Sequence, residues 1–241
     1  MVFVLVHGAW HGGWCYKRVA QYLRAAGHEV HVPTLTGLGE RSHLMNRSVN
    51  LETHIQDVVN LLRWEELKDV VLCGHSYGGI VITGVAAKVP DKIRALVYLD
   101  AFVPADGQRL FDFLPPQTQA AMTDEARKNG DGYLMAPIPA AAFNVNRADR
   151  AWADQMCVKH PLACFEDKVT VGNVVDRIAK KTYVLATDWP PPEAPGMPSP
   201  FVPIAERLRA DNRWCVVAMH CGHDVMLDMP KELVEALIAA G

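Results

Sequence analysis

Asp69-Val70-Val71-Leu72-Cys73-Gly74-His75-Ser76-Tyr77-Gly78-Gly79 is the stretch whose reading decides the fold. Four apolar residues, Val70 to Cys73, run directly into Gly-x-Ser-x-Gly, and a helical pattern follows from Ile80. That order predicts a strand, a sharp turn and a helix, with Ser76 at the apex. Such a turn strains the serine backbone and lifts its hydroxyl above the sheet. Gly74 and Gly78 are needed because side chains there would strike the adjoining strand and helix. The pentapeptide alone is weak evidence. The strand before it and the helix after it are the context a nucleophilic serine requires.

Strands and helices alternate on either side of this turn. Val2–Val6 is a short apolar run closed by Gly8, as in a strand buried on both faces. Trp14–Ala26 is amphipathic and stops at Gly27. His28–Val32 reads as a strand ended by Pro33. Asn50 is placed to cap a helix over Leu51–Leu67. Ile80–Lys88 is a helix, Ile93–Leu99 a strand ending at Asp100, and Thr182–Thr187 and Trp214–Met219 two more strands. Pro230 opens a closing helix over Lys231–Ala240. The alternation predicts an α/β fold: a mainly parallel sheet of about six strands with helices on both faces. The 241 residues suit a single domain, 1–241. Residues 104–175 break the alternation, with helical pieces near Pro116–Asn129 and Asp149–Lys159. Their aromatic residues distinguish them from a disordered linker and mark an inserted helical cap.

Half the chain is hydrophobic and the net charge is −3, with no long basic run, so nucleic acid is not an expected partner. Lys17-Arg18 and Lys180-Lys181 read as solvated ends of elements. No apolar run is long enough for a membrane span, and the N-terminus lacks a basic leader. The six cysteines form no Cys-x-x-Cys pair, so no metal is expected. Cys73 and Cys215 lie in apolar strands as small hydrophobes. A reduced, cytoplasmic protein is the simplest account, with a homodimer as one admissible assembly.

A serine hydroxyl needs a neighbouring base. Of the ten histidines, His223 is the best placed, following the last strand in Met219-His220-Cys221-Gly222-His223-Asp224. Active-site loops gather at the carboxyl ends of parallel strands, beside the serine turn. His220 is a weaker competitor. His7 reads as ordering its own loop and His75 as packing, while His11, His54 and His160 have no evident task. The oxyanion needs backbone N–H donors. Tyr77 follows the nucleophile, and Ala9 lies in the glycine-rich loop after the first strand, where the alternative is an ordinary strand-to-helix turn.

His7-Gly8-Ala9-Trp10-His11-Gly12-Gly13-Trp14, Gly74-His75-Ser76-Tyr77-Gly78-Gly79 and Gly222-His223 together resemble the α/β-hydrolase branch of plant methylesterases, salicylate-binding esterases and hydroxynitrile lyases. The likeness extends to bacterial esterases that cleave a methyl carbamate, and it covers nearly the whole chain. It implies an α/β-hydrolase fold and acyl chemistry without a cofactor. Ser76 would be nucleophile, His223 base, and Ala9 with Tyr77 the oxyanion hole. Two departures argue against the lyases. Gly8 stands where they carry a threonine hydroxyl. Asp224 stands where they carry a lysine, and its charge would repel a leaving cyanide.

The triad acid stays open. The family places it just past the strand corresponding to Thr182–Thr187, where this chain has Thr187-Asp188-Trp189-Pro190. Asp188 and, less favoured, Glu193 are there, while Asp100 ends the strand next to the nucleophile strand and is preferred. The expected activity is hydrolysis of a small ester or carbamate, as a carboxylic ester hydrolase acting on a small-molecule partner. Trp10, Phe111, Phe113, Leu114 and Trp152 are the expected substrate-binding residues. The rivals are a carbon–carbon lyase and a non-catalytic small-ligand receptor on the same fold.

Overall fold

The computed structural model describes residues 1–173, 177–190 and 199–241. Glu193 and the end of the 104–175 segment fall outside them. Six strands form one sheet: β1 (Val2–Val6), β2 (Glu29–His31), β3 (Val70–His75), β4 (Ile93–Leu99), β5 (Lys180–Ala186) and β6 (Trp214–Met219). Their order is β2-β1-β3-β4-β5-β6, and every neighbouring pair is parallel. All six residues of β3 are buried, although successive strand side chains point to opposite faces. Both faces of the sheet centre are therefore covered. The helix Gly78–Lys88 packs on β3, and the helix Pro230–Ala240 on β4 and β5.

The order positions the site. From β1 the chain moves outward to β2, then returns to place β3 on the other side of β1 and continues to β6. The reversal leaves a crevice beyond the carboxyl ends of β1 and β3, the place where open α/β sheets bind ligands. The Ala9 loop follows β1 and Ser76 follows β3.

β1, β4 and β6 have their expected bounds. Asn50 caps the helix Leu51–Trp64 by accepting from Thr53 N–H at 3.0 Å, and the Thr53 hydroxyl returns the bond, closing a capping box. The first helix differs from expectation: a 3-10 turn, Gly13–Tyr16, precedes the α-helix Lys17–Ala25. Two expectations about the surface are corrected. Lys181 is buried, its ammonium donating to the Ile178 carbonyl at 2.9 Å. Cys215 is exposed, because β6 has a neighbour on one side only.

Between β4 and β5 the chain leaves the main sheet. It forms the helices Pro116–Asn129 and Arg150–Met156 and a two-residue antiparallel pair, Leu134–Met135 with His160–Pro161. The helix Phe201–Arg209 is an element that sequence reading passes over, although Phe201, Ile204, Ala205 and Leu208 recur at helical spacing and are all buried.

Candidate active site

Ser76 sits at the strand-to-helix turn with φ of 53°. This left-handed conformation is rare for a residue with a side chain. It is held by Ser76 N–H donating to the Leu99 carbonyl at 3.2 Å and by Phe102 N–H donating to the Ser76 carbonyl at 3.3 Å. A Cβ on Gly74 would overlap the Gly78 carbonyl, and one on Gly78 would come within 2.8 Å of the Val6 and His7 carbonyls. Both glycines are thus required by close backbone approach, as the turn implies.

His223 follows β6 and is 2 % exposed. Its Nδ1 lies 2.6 Å from Asp100 Oδ2, and Asp100 Oδ1 accepts from Ala186 N–H at 3.1 Å. Asp100 is fully buried with φ of 41°, its own N–H bonded to the Val184 carbonyl at 2.7 Å. It is therefore fixed between the ends of β4 and β5. Asp188 is turned away: it accepts from the Thr187 hydroxyl at 3.0 Å and stands 3.9 Å from the exposed His220. Of the two aspartates on described residues, only Asp100 is hydrogen-bonded to His223.

Four rings enclose the imidazole, with His75 the nearest at 4.5 Å. Phe201 stacks on it at 5.0 Å and 7°, Trp189 stacks at 5.1 Å, and Phe143 is tilted against it at 5.0 Å. This burial lowers the His223 pKa to about 4, so at neutral pH the ring is uncharged and able to accept a proton. Burial likewise raises the Asp100 pKa, opposed by the Ala186 N–H.

Ser76 and His223 open into one cavity of about 130 Å³. Its wall includes Ala9, Trp10, Tyr77, Phe102, Leu110, Leu114, Thr118, Met122, Ile138, Phe143, Phe165, Trp189 and Phe201. Among the described residues, no Asp, Glu, Lys or Arg lines it. A larger groove of about 810 Å³ runs along β6 without reaching Ser76.

Trp10 and Leu114 are in the wall, as expected. Phe111, Phe113 and Trp152 are not. Phe111 is buried behind the wall on Phe165, Phe113 packs on Phe102, and Trp152 is a surface ring set edge-on against Trp14 at 4.9 Å. Phe102, Phe143, Phe165, Trp189 and Phe201 are the aromatic lining that sequence reading missed. Only Phe201 carried a local signal, the helical spacing of its neighbours.

The Ala9 loop is braced. His7 Nε2 accepts from Leu35 N–H at 3.1 Å, so the ring proton is on Nδ1, which donates to the Gly8 carbonyl at 2.8 Å. A trans peptide points its N–H opposite its carbonyl. The Ala9 N–H is thereby directed away from His7. Tyr77 is fully buried, and its hydroxyl donates to His54 Nδ1 at 2.9 Å while His54 Nε2 donates to the Thr36 carbonyl.

Asp224 corrects an expectation. Its carboxylate does not face the cavity. Oδ2 lies 3.1 Å from His11 Nε2 and Oδ1 lies 3.7 Å from His75 Nε2. Repulsion of a leaving anion by Asp224 thus has no geometric basis. Gly8 keeps its significance: a Cβ there would come 2.8 Å from His75 Nδ1 and 3.0 Å from Ser76 Cβ.

Two clusters bring metal-type ligands together, His54-His160-Cys164 and His75-His223-Asp224. In the first, His160 Nδ1 accepts the Trp10 N–H at 3.3 Å, which leaves Nε2 as an N–H and not a lone pair. In the second, His75 Nε2 donates to the His223 carbonyl at 3.1 Å. Hydrogen bonding thus already commits some of the ring nitrogens in each cluster, both of His54 and Nδ1 of His160 in the first and Nε2 of His75 in the second.

Five buried histidines make a prediction about stability. Burial lowers the pKa of His7 to about 3 and of His54 and His223 to about 4, and holds those of His75 and His160 well below 6.5. Between about pH 4 and 6.5 the unfolded chain binds protons that the folded chain refuses, so stability rises with pH there and is lost on acidification. Each such site contributes up to about 1.4 kcal/mol per pH unit. Asp100, with its pKa raised by burial, acts in the opposite sense. Urea melts should show the midpoint falling steeply from pH 6.5 to 5, while His11, whose pKa is raised by Asp224 against its burial, adds stability that is lost as pH rises through its folded value. A flat profile would mean that the folded state accepts these protons.

A model of the alpha/beta hydrolase family matches residues 3–236. The chain is 48% identical over 246 residues to a carbendazim hydrolyzing esterase of Nocardioides sp. (strain SG-4G), covering 99% of both chains. It is 34% identical over 125 residues to methylesterase 2 of Arabidopsis thaliana, covering 51% of this chain and 47% of that one. Among solved structures it resembles an extracellular alpha/beta-hydrolase from a Paenibacillus species, with a TM-score of 0.82 at 24% identity, over 100% of this chain and 99% of the other. That protein is described as sharing structural and functional homology with tobacco salicylic acid binding protein 2. No described helix is long and apolar enough to cross a membrane.

Proposed function

Given that the chain belongs to the alpha/beta hydrolase family and is a carboxylic ester hydrolase, we propose that it cleaves small, neutral aryl methyl carbamates or esters through an acyl-enzyme on Ser76. The observation that carries this reading is the buried Asp100–His223 pair opening, with Ser76, into one uncharged aromatic cavity.

Ser76 Oγ attacks the carbonyl carbon as its proton passes to His223 Nε2, while His223 Nδ1–H remains on Asp100. The carbonyl oxygen becomes an oxyanion held by the N–H groups of Ala9 and Tyr77. Collapse of the adduct expels the alcohol or amine, which takes the proton from His223. Water, deprotonated by the same imidazole, then releases the acyl group and restores Ser76. A methyl carbamate cleaved in this way ends as an amine, carbon dioxide and methanol. The chemistry asks for no cofactor.

The wall supports a neutral, planar substrate. The indole N–H of Trp10 is committed to the Met135 carbonyl and that of Trp189 to the Ala142 carbonyl, so both rings present apolar surface. An anionic substrate would lose its hydration in a cavity with no cation among its described lining residues to replace it. The segment 104–175 acts as a cap by supplying Leu110, Leu114, Thr118, Met122, Ile138, Phe143 and Phe165 to the wall. The six free cysteines accord with a reducing, cytoplasmic setting.

Rates should be compared across p-nitrophenyl esters, methyl esters, aryl methyl carbamates and mandelonitrile. The expected result is turnover of the carbamates and esters and none of the cyanohydrin, because Gly8 has no hydroxyl and no described lysine lines the cavity. Cyanide release from mandelonitrile at a rate matching the esters would instead favour the lyase.

A further inference from the structure

His11 and Asp224 lie 213 residues apart in sequence, 3 % and 1 % exposed, and the mechanism above uses neither. Their hydrogen bonds tie together the two loops that it does use. His11 Nδ1 lies 2.7 Å from the Ala9 carbonyl, an oxygen that can only accept, so Nδ1 carries a proton. His11 Nε2 lies 3.1 Å from Asp224 Oδ2, and that bond needs a second proton. Asp224 is next in the chain to His223 and begins the short helix Val225–Asp228. An aspartate there ordinarily accepts from the helix amides. Here it makes no such bond and is turned to His11 instead.

We propose that His11 and Asp224 are a positioning pair, an imidazolium–carboxylate strap that locks the loop carrying the Ala9 oxyanion donor onto the segment carrying His223. Three further observations fit a charged strap. The face of Trp14 stacks on the His11 ring at 5.1 Å and 21°, a favourable setting for a cation. Burial disfavours charge on both groups, yet their mutual attraction leaves His11 with a raised pKa and Asp224 with a lowered one. Both carbonyls flanking the Ala9 Cα are held, that of Gly8 by His7 and that of Ala9 by His11. The Ala9 N–H between them then has little freedom to turn. Trp152, edge-on to Trp14, backs this strap instead of the substrate. The other titratable groups near the pair are His7, His75, His160, His223, Cys15, Tyr16 and Cys157.

The strap rests on the serine-hydrolase reading, and its test separates the two. Loss of one oxyanion donor costs about 10²–10³-fold in kcat, so a loosened donor should cost about 10–100-fold. Asp224→Leu and His11→Phe should each lower kcat by that factor with KM nearly unchanged, and the double variant should be no worse than the poorer single one. Inhibition by a trifluoromethyl ketone, whose adduct places an oxyanion in the hole, should weaken in step. Asp224→Asn should restore most of kcat, because its amide N–H can donate to a neutral His11 Nε2 and leave Nδ1–H on Ala9. In the unmodified enzyme, 15N-histidine spectra at pH 7.5 should show both His11 ring nitrogens protonated, a readout independent of turnover and of variant folding. An unprotonated His11 nitrogen, an unchanged kcat in folded Asp224→Leu, a rise in KM alone, or Asp224→Asn as poor as Asp224→Leu would each overturn the strap. Activity surviving in Ser76→Ala would overturn the hydrolase reading instead.

Discussion

Ser76→Ala is expected to lower kcat by about 10⁶-fold, the scale on which loss of the nucleophile removes the whole benefit of a triad that acts as a unit. The fold should survive. The bonds that hold the turn are made by backbone, from Ser76 N–H to the Leu99 carbonyl and from Phe102 N–H to the Ser76 carbonyl, and alanine keeps both. The strain of a left-handed backbone at φ of 53° is already present with serine, and alanine adds little to it. Single-turnover assays on an aryl ester, with circular dichroism as the folding control, measure the effect. A fluorophosphonate should label the unmodified enzyme at Ser76 and leave the variant unlabelled. Retained turnover, or a label on any other residue, would place the nucleophile elsewhere.

How much of this was legible in the chain follows from the range of the interactions. Short, continuous apolar runs closed by glycine or aspartate give β1, β4 and β6 their observed bounds, because burial on both faces is written locally. Ser76 and His223 are also local signals, a turn motif and a histidine after the last strand. The choice between Asp100 and Asp188 narrows on strand-end placement alone, since a residue between two strand ends has a rigid backbone. The cavity wall was not legible. Aromatic residues in the 104–175 segment announce burial, but not on which side of the wall each ring falls. Leu114 faces the cavity, while Phe111 and Phe113 pack behind it and Trp152 sits at the surface. Asp224 shows the same limit. Its charge is plain in the sequence, but its direction is set by His11, a partner 213 residues away.

Asp100→Asn should lower kcat by about 10⁴-fold, the loss expected when the imidazole is held in the wrong tautomer. The geometry says which tautomer would result. Asp100 Oδ1 accepts the Ala186 N–H at 3.1 Å, and Oδ2 lies 2.6 Å from His223 Nδ1. In asparagine the carbonyl oxygen takes the place facing the Ala186 donor. The amide NH₂ is then left against Nδ1, which must become an acceptor. The ring proton moves to Nε2, which can then no longer receive the serine proton. Asp188→Asn should stay near the unmodified rate, since Asp188 is half-exposed and bonded to the Thr187 hydroxyl on the far side of its loop. Steady-state kcat for both variants on one carbamate decides the matter. Loss at Asp188 with Asp100→Asn near the original rate would return the acid to the loop after β5, and would mean that His223 changes partner when substrate binds.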